Sequence, residues 1–230
     1  MHFHLPKPLH GWREFAGEVG IIVLGVLVAL TAEQFVETLH WRSEARDFRK
    51  AINREMSKNL IIYQINQLQQ PCTKRRLDEL QTYLDRSTDG ATVQLTGKIG
   101  EPLWLGQYRS VWDNKDAQVV AHIPVDERLE YAALYDDLRG AADIANAQTE
   151  VWHKFVPFEV TGPLTLQERR QLHSLISQAL NLSSAMDANW PVFLKEGRDL
   201  GIKPEYPREW PDFRPYIRRS DLCKPMLKSP

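Results

Sequence analysis

The sequence predicts an all-α protein in which a transmembrane helix near the amino terminus continues into a multi-helix antiparallel bundle, closed by an irregular, proline-rich tail. Three observations carry this. Val19 to Ala32 is an uncharged apolar run, and beyond it apolar residues recur at three- and four-residue steps rather than alternating. From Lys203 that period stops and prolines accumulate. The 230 residues then divide into a short tail (1–14), a transmembrane helix (15–37), a helical extramembrane domain (38–202) and a Pro/aromatic-rich tail (203–230).

The apolar run alone is short, since a spanning helix wants about 20 residues. It lengthens through Phe15, Ala16 and Gly17 on one side and Phe35, Val36 and Leu39 on the other, provided Glu18 and Glu33 sit near the boundaries. Trp12 and Trp41 bracket the extended span as interfacial anchors. At about 1.5 Å per residue they lie roughly 43 Å apart, the distance between the two headgroup regions where indole rings settle. A cleavable signal needs small residues spaced A-x-A, and Ala29-Leu30-Thr31-Ala32 spaces its alanines one residue too far, so the expectation is an uncleaved signal-anchor.

Around the helix, Glu14, Glu18, Gly25, Ala29, Ala32 and Val36 fall on one stripe, opposite Val23, Leu27 and Leu30. The bulky face suits lipid, and the small residues let a second helix approach, so Glu18, Gly25, Ala29 and Ala32 are the expected helix–helix contact. In this segment the chain resembles a group of small bacterial single-pass membrane proteins of unknown function. They share Gly-Glu-Val/Ile, an apolar run with an internal glycine, Ala-Leu and a polar exit, matched here by Gly17, Glu18, Val19, Gly25, Ala29, Leu30 and Glu33-Gln34, with the flank Leu9 to Phe15. The match covers the first fifth of the chain and implies an anchor followed by an extracytoplasmic helical region. A type IV pilin also opens an apolar helix with glutamate, but Gly11 is misplaced for its leader glycine.

Past the membrane, Ala45, Phe48, Ile52, Met56, Leu60 and Tyr63 predict that the anchor helix runs on to Pro71, and Leu77, Leu80 and Leu84 predict a second helix ending at the turn Asp85 to Gly90. Ala91 to Pro102 reads as loop, and a short helix around Gln107 to Gln118 would carry Tyr108, Val111 and Trp112. A long helix follows from Asp126 through Leu138 and Trp152 to Pro157. The last opens on a capping box, Thr165 with Glu168, bends at Pro191 and stops at Gly201.

Twenty-nine basic and 30 acidic residues leave a formal net charge of -1, which gives no electrostatic pull toward nucleic acid. A mean hydropathy of -0.43 confines membrane contact to one segment. Orientation is set by two opposing signals. Lys7 and Arg13 precede the span while Arg42, Arg46, Arg49, Lys50 and Arg54 follow it, which favours the C-terminal region inside. Against this, the only two cysteines, Cys72 and Cys223, are placed to pin the tail as a disulfide, and such a bond requires an oxidising compartment. Long domains translocate with little regard to charge, so the expectation is an inner-membrane protein with a periplasmic domain.

Signals for chemistry are sparse. Glu37 with His40 and Glu150 with His153 have the Glu-x-x-His spacing of di-iron bundles, but pairs arise at this frequency by chance, and His40 sits beside Trp41. His2 and His4 form an isolated His-x-His. No HExxH, CxxC, phosphate loop or nucleophile elbow is present, so no catalytic, cofactor or metal residue is assigned and no cofactor is expected. Trp104, Tyr108 and Trp112, and Trp152, Phe155 and Phe158, read as core aromatics or as pocket walls. The expected partners are the lipid bilayer and either a second copy or an envelope protein. A ligand-sensing domain acting through a partner and a membrane-tethered enzyme are the alternatives.

Overall fold

The computed structural model describes residues 11–87, 93–159 and 162–227. His2, His4, Lys7, the start of the Leu9 to Phe15 flank and the second half of the Asp85 to Gly90 turn lie outside them. Among the described residues there is no β-strand, and the elements are α1 (Trp12–Arg86), α2 (Ser110–Asp113), α3 (Ala117–Ala121), α4 (Val125–His153), α5 (Leu166–Asp199) and α6 (Arg214–Arg219), with 3₁₀ turns at Val156–Glu159 and Asp221–Cys223. The all-α expectation holds. The chain forms two compact units, 1–49 with 116–122, and 50–115 with 123–230.

In the first unit, α1 carries the apolar run and α3 lies against its later turns. Asp116 caps α3, its carboxylate accepting from the Gln118 N–H at 2.7 Å. Val119 is buried, and the His122 ring stacks on Trp41 with centroids 4.8 Å apart and planes within 7°.

The second unit is a three-helix bundle of the later part of α1 with α4 and α5. Asn53, Glu55 and Tyr63 of α1 meet Tyr131, Tyr135 and Leu138 of α4 in that order, so these two helices run the same way. Gln70 meets Ser183, Gln67 meets Met186, and the Tyr63 and Phe193 rings lie 4.9 Å apart, so α5 runs against both. Parallel neighbours need a long return. Within that return, residues 93–109 form a strap without regular structure. At Gly197, α5 comes close to α1: an added Cβ would lie 3.0 Å from Leu60 Cδ1.

Two expectations are corrected. Pro71 does not end the first helix, which continues unbroken to Arg86, so Leu77, Leu80 and Leu84 belong to α1 and not to a separate helix. Proline removes one amide and crowds the carbonyl four residues back. Pro71 lies on the exposed side of the helix, while Met56, Leu60 and Tyr63 before it and Leu77, Leu80 and Leu84 after it are held in the core. Pro191, also exposed, lies inside α5 in the same manner. Second, the helix expected around Gln107 to Gln118 is two short ones, and Tyr108 precedes both, in the extended strap.

Local expectations at the helix ends are met. The Thr165–Glu168 box closes with reciprocal bonds of 3.2 and 2.7 Å, and the side-chain bond from Thr165 holds Glu168 below the usual carboxylate range. At the other end of α5, Gly201 adopts φ +70°. This lets the Ile202 N–H reach the Gly197 carbonyl (2.7 Å) and the Gly201 N–H the Arg198 carbonyl (2.9 Å), the pair of bonds that terminates a helix on a left-handed glycine.

Candidate functional site

Three features are candidates for function: the apolar span, the clamp on strap and tail, and a cleft in the bundle unit.

The span is one helix long and apolar enough to cross a membrane, and none of the residues in its 18-residue apolar window is buried. Ile21 is 74% exposed and Leu24 62%, so no other part of the described chain covers them. The described residues of this chain do not bury the span in a core of their own. The hydroxyls within and just beyond the run are satisfied internally, Thr31 donating to the Leu27 carbonyl and Thr38 to the Gln34 carbonyl, both at 2.7 Å. Glu18, Gly25, Ala29 and Ala32 are exposed along the helix, and a Cβ built on Gly25 meets nothing within 4 Å. Trp12 is 79% exposed beside Phe15, whereas Trp41 is half-buried, its indole N–H donating to Glu37 at 3.3 Å and its ring on His122.

The clamp is built from polar side chains facing inward on α1. Glu55, Asn59, Gln69, Thr73 and Arg76 recur at steps of four, ten, four and three, and all are buried. The Asn59 amide donates to the Tyr108 carbonyl and accepts from its N–H, both at 2.8 Å. Gln69 repeats the pattern on Leu103, at 3.0 and 2.7 Å. The Glu55 carboxylate accepts from the Val111 N–H (2.9 Å), the Ser110 hydroxyl (3.0 Å) and the Tyr135 hydroxyl. Burial, reinforced by that bond to Glu55, pushes the Tyr135 phenol well above its ordinary range. A strap with no ladder of its own thereby finds partners for its backbone.

Arg76, fully buried, performs the same task for the tail. Its guanidinium donates to the carbonyls of Lys98 (2.5 Å), Asp221 (2.8 Å) and Lys224 and pairs with Glu79 at 3.2 Å. Desolvation lowers its pKa, with Glu79 opposing, but a guanidinium titrates so high that the charge is kept. Glu79 also accepts from the Met226 N–H at 3.1 Å. Cys72 and Cys223 are bonded, with Cα atoms 4.8 Å apart across 151 residues of sequence. Gly100 takes φ +67°, and a Cβ there would fall 2.4 Å from the Leu222 amide nitrogen, so strap and tail touch backbone to backbone. The tail thus forms part of the second unit, with Leu222, Met226 and Leu227 in the main core.

The cleft, about 1060 Å³, lies between the strap, α4 and α6. Leu103 and Trp104 of the strap and Phe213, Tyr216 and Ile217 of the tail make an apolar wall, and Glu101 and Glu150 are its charged side chains. His153 sits beside it, its Nε2 2.9 Å from Glu101. Trp104, Tyr108 and Trp112 do not form a ladder on one helix, since the first two lie in the extended strap. Trp104 sets its edge on Tyr63 and Trp112 stacks on Tyr135. Trp152, Phe155 and Phe158 are buried in the core.

Among the described residues, no group of three or more His, Cys, Asp or Glu side chains is placed to hold a metal ion, so neither Glu-x-x-His pair is joined by further ligands. Comparison of the chain with protein-family models, with curated proteins and with solved structures finds no match.

Arg76 and Glu55 carry much of this architecture, yet neither stands out in the sequence. Arg76 ends the run Lys74-Arg75-Arg76, which reads as a solvated charged face, and Glu55 lies between Arg54 and Met56. A signal exists in the phase: Arg76 shares the stripe of Thr73, Leu80 and Leu84, and Glu55 that of Ile52 and Asn59.

Proposed function

We propose that the chain is a single-pass, membrane-anchored helical protein of the bacterial envelope that acts as a non-enzymatic assembly subunit, joining a second copy or an envelope partner. The observation that carries this reading is the fully exposed apolar span. A run of Ile, Val and Leu with no protein cover is stable only in lipid or against another helix, and insertion of Val19 to Ala32 is favoured by roughly 3 to 5 kcal/mol.

Supporting the signal-anchor is the continuity of α1, which leaves the span by way of Trp41 without a break. A periplasmic domain is favoured by the Cys72–Cys223 bond, which persists in an oxidising compartment. Self-association through Glu18, Gly25, Ala29 and Ala32 is favoured by the open, small-residue stripe. The resemblance in Gly17 to Gln34 points to the same anatomy.

Fractionation of lysed cells tests the anchor: the full-length product sediments with membranes and resists carbonate extraction, and its presence in the supernatant, or loss of its first thirty-odd residues, overturns the reading. For the stripe, a cysteine at Ala29 crosslinks to dimer more than one at Leu27, and equal yields refute it.

A further inference from the structure

We infer that the cleft between the strap, α4 and α6 is a binding site for an organic cation with an apolar body, an amine or quaternary ammonium joined to an aromatic or alkyl group. This goes beyond the assembly reading and does not rest on the anchor, because every residue that lines the cleft belongs to the bundle unit.

Size is the first consideration. At about 1060 Å³ the cleft is as large as the sites that take drug-sized ligands. Its walls come from three separate segments, the strap, α4 and the tail around α6, which the Cys72–Cys223 bond, Arg76 and Gln69 hold in place, so the shape exists before any ligand arrives. Preformed walls spare a ligand the cost of ordering them.

Chemistry is the second. Trp104, Phe213 and Tyr216 offer aromatic surface, and Tyr216 is 64% exposed, an aromatic ring left in water at the mouth of a cleft. Trp and Tyr faces attract ammonium groups. In the same lining, Glu101 and Glu150 bring two negative charges, and among the described residues no lysine or arginine lines the cleft. In a chain with 29 basic residues and a net charge of -1, a cleft of this size with carboxylates alone has a definite sign. Anions are repelled, and a neutral apolar molecule offers Glu150 no counter-charge. Glu101 already has His153 as a neighbour at 2.9 Å, so Glu150, together with Asn146 one turn earlier on α4, is the acceptor open to a cationic head.

The test is calorimetric titration of the full chain in nanodiscs with 4-phenylbutylamine, with 4-phenylbutanol as the neutral counterpart, protein-free nanodiscs supplying the partition baseline. One saturable site is expected for the amine, with the alcohol binding at least about tenfold more weakly, as the loss of one charge-assisted hydrogen bond implies. Glu150→Gln should weaken the amine about tenfold and leave the alcohol unchanged, whereas Tyr216→Ala should weaken both. Both side chains are exposed, so thermal unfolding of the two variants should match that of the parent. Equal binding of amine and alcohol, an unaltered affinity in Glu150→Gln, or the absence of a saturable site overturns the assignment. Failure here leaves membrane sedimentation untouched, so the two readings fail separately.

Discussion

The single helix α1 is written in two opposite ways. Between Trp12 and Leu39 its bulky residues are all exposed, and its charged groups are confined to the two ends of the run. Between Ile52 and Leu84 the bulky apolar residues other than Leu68 lie inward, and polar side chains are buried with them. Both stretches belong to one unbroken helix, so what differs is the medium each was built for. In lipid the backbone must satisfy itself and side chains need only be apolar. Inside a bundle the side chains also serve neighbouring backbone that has no regular partner. Buried Ser57, Asn59, Gln69 and Arg76 on α1 each mark a place where irregular chain crosses it.

The largest effect expected from breaking that arrangement is at Arg76. Arg76→Ala leaves the carbonyls of Lys98, Asp221 and Lys224 without their donor and Glu79 without its counter-ion, a loss of about 3–5 kcal/mol, read by chemical denaturation of the bundle unit. The same substitution at Arg42, exposed on the same helix, should change the midpoint by less than about 0.5 kcal/mol. Leucine provides the apolar version. Leu60→Ala, at a site with 0% exposure against Gly197, should cost about 2–5 kcal/mol, whereas Leu27→Ala, 54% exposed, should leave the unfolding transition in place.

Next comes the disulfide. Cys72→Ser with Cys223→Ser removes the closure of a loop of 151 residues and should cost about 2–4 kcal/mol, with the tail becoming the first segment cut in limited proteolysis. If Arg76 and Glu79 alone hold the tail, the cleavage pattern will not change.

The smallest effect separates a charge held by the bundle from one held in water. Glu196 on α5 is pushed up to about 7, first by burial and then by its hydrogen bond to, and repulsion from, Asp137 on α4. Since the folded state holds this proton more tightly than the unfolded chain, stability is fully present below the ordinary value of 4.5 and is lost as pH rises through about 7. The pair is partly solvated, so the loss is about 1 kcal/mol after screening. Glu196→Gln should abolish that slope in melting curves between pH 5 and pH 8.

What was legible in the sequence follows the same division. The apolar run, the Thr165–Glu168 box, the stop at Gly201 and the lengths of α4 and α5 all depend on residues a few positions apart, and periodicity reports them. Pro71 misled because its effect on a helix depends on which side of the bundle it faces, and its exposure is settled only by packing. The parallel course of α1 and α4 was hidden for a related reason: the strap between them has no period. Of the cleft, the sequence shows Trp104, the Glu150–His153 pair and the tail aromatics Phe213 and Tyr216 separately, because the strap and the tail that wall it lie more than a hundred residues apart.

The grips on Tyr108, Leu103 and Lys98 come from Asn59, Gln69 and Arg76, so instructions for the strap's route are stored in a helix elsewhere in the chain. Inserting one residue between Asn59 and Gln69 would turn every later grip by 100° and misdirect the strap without altering a letter of it. Substitutions at exposed positions of the strap should go unnoticed, but not at Gly97 or Gly100, where a Cβ would meet the backbone of the tail, nor at buried Ile99. Drift of this kind erases likeness in the strap first and in the rungs of α1 last.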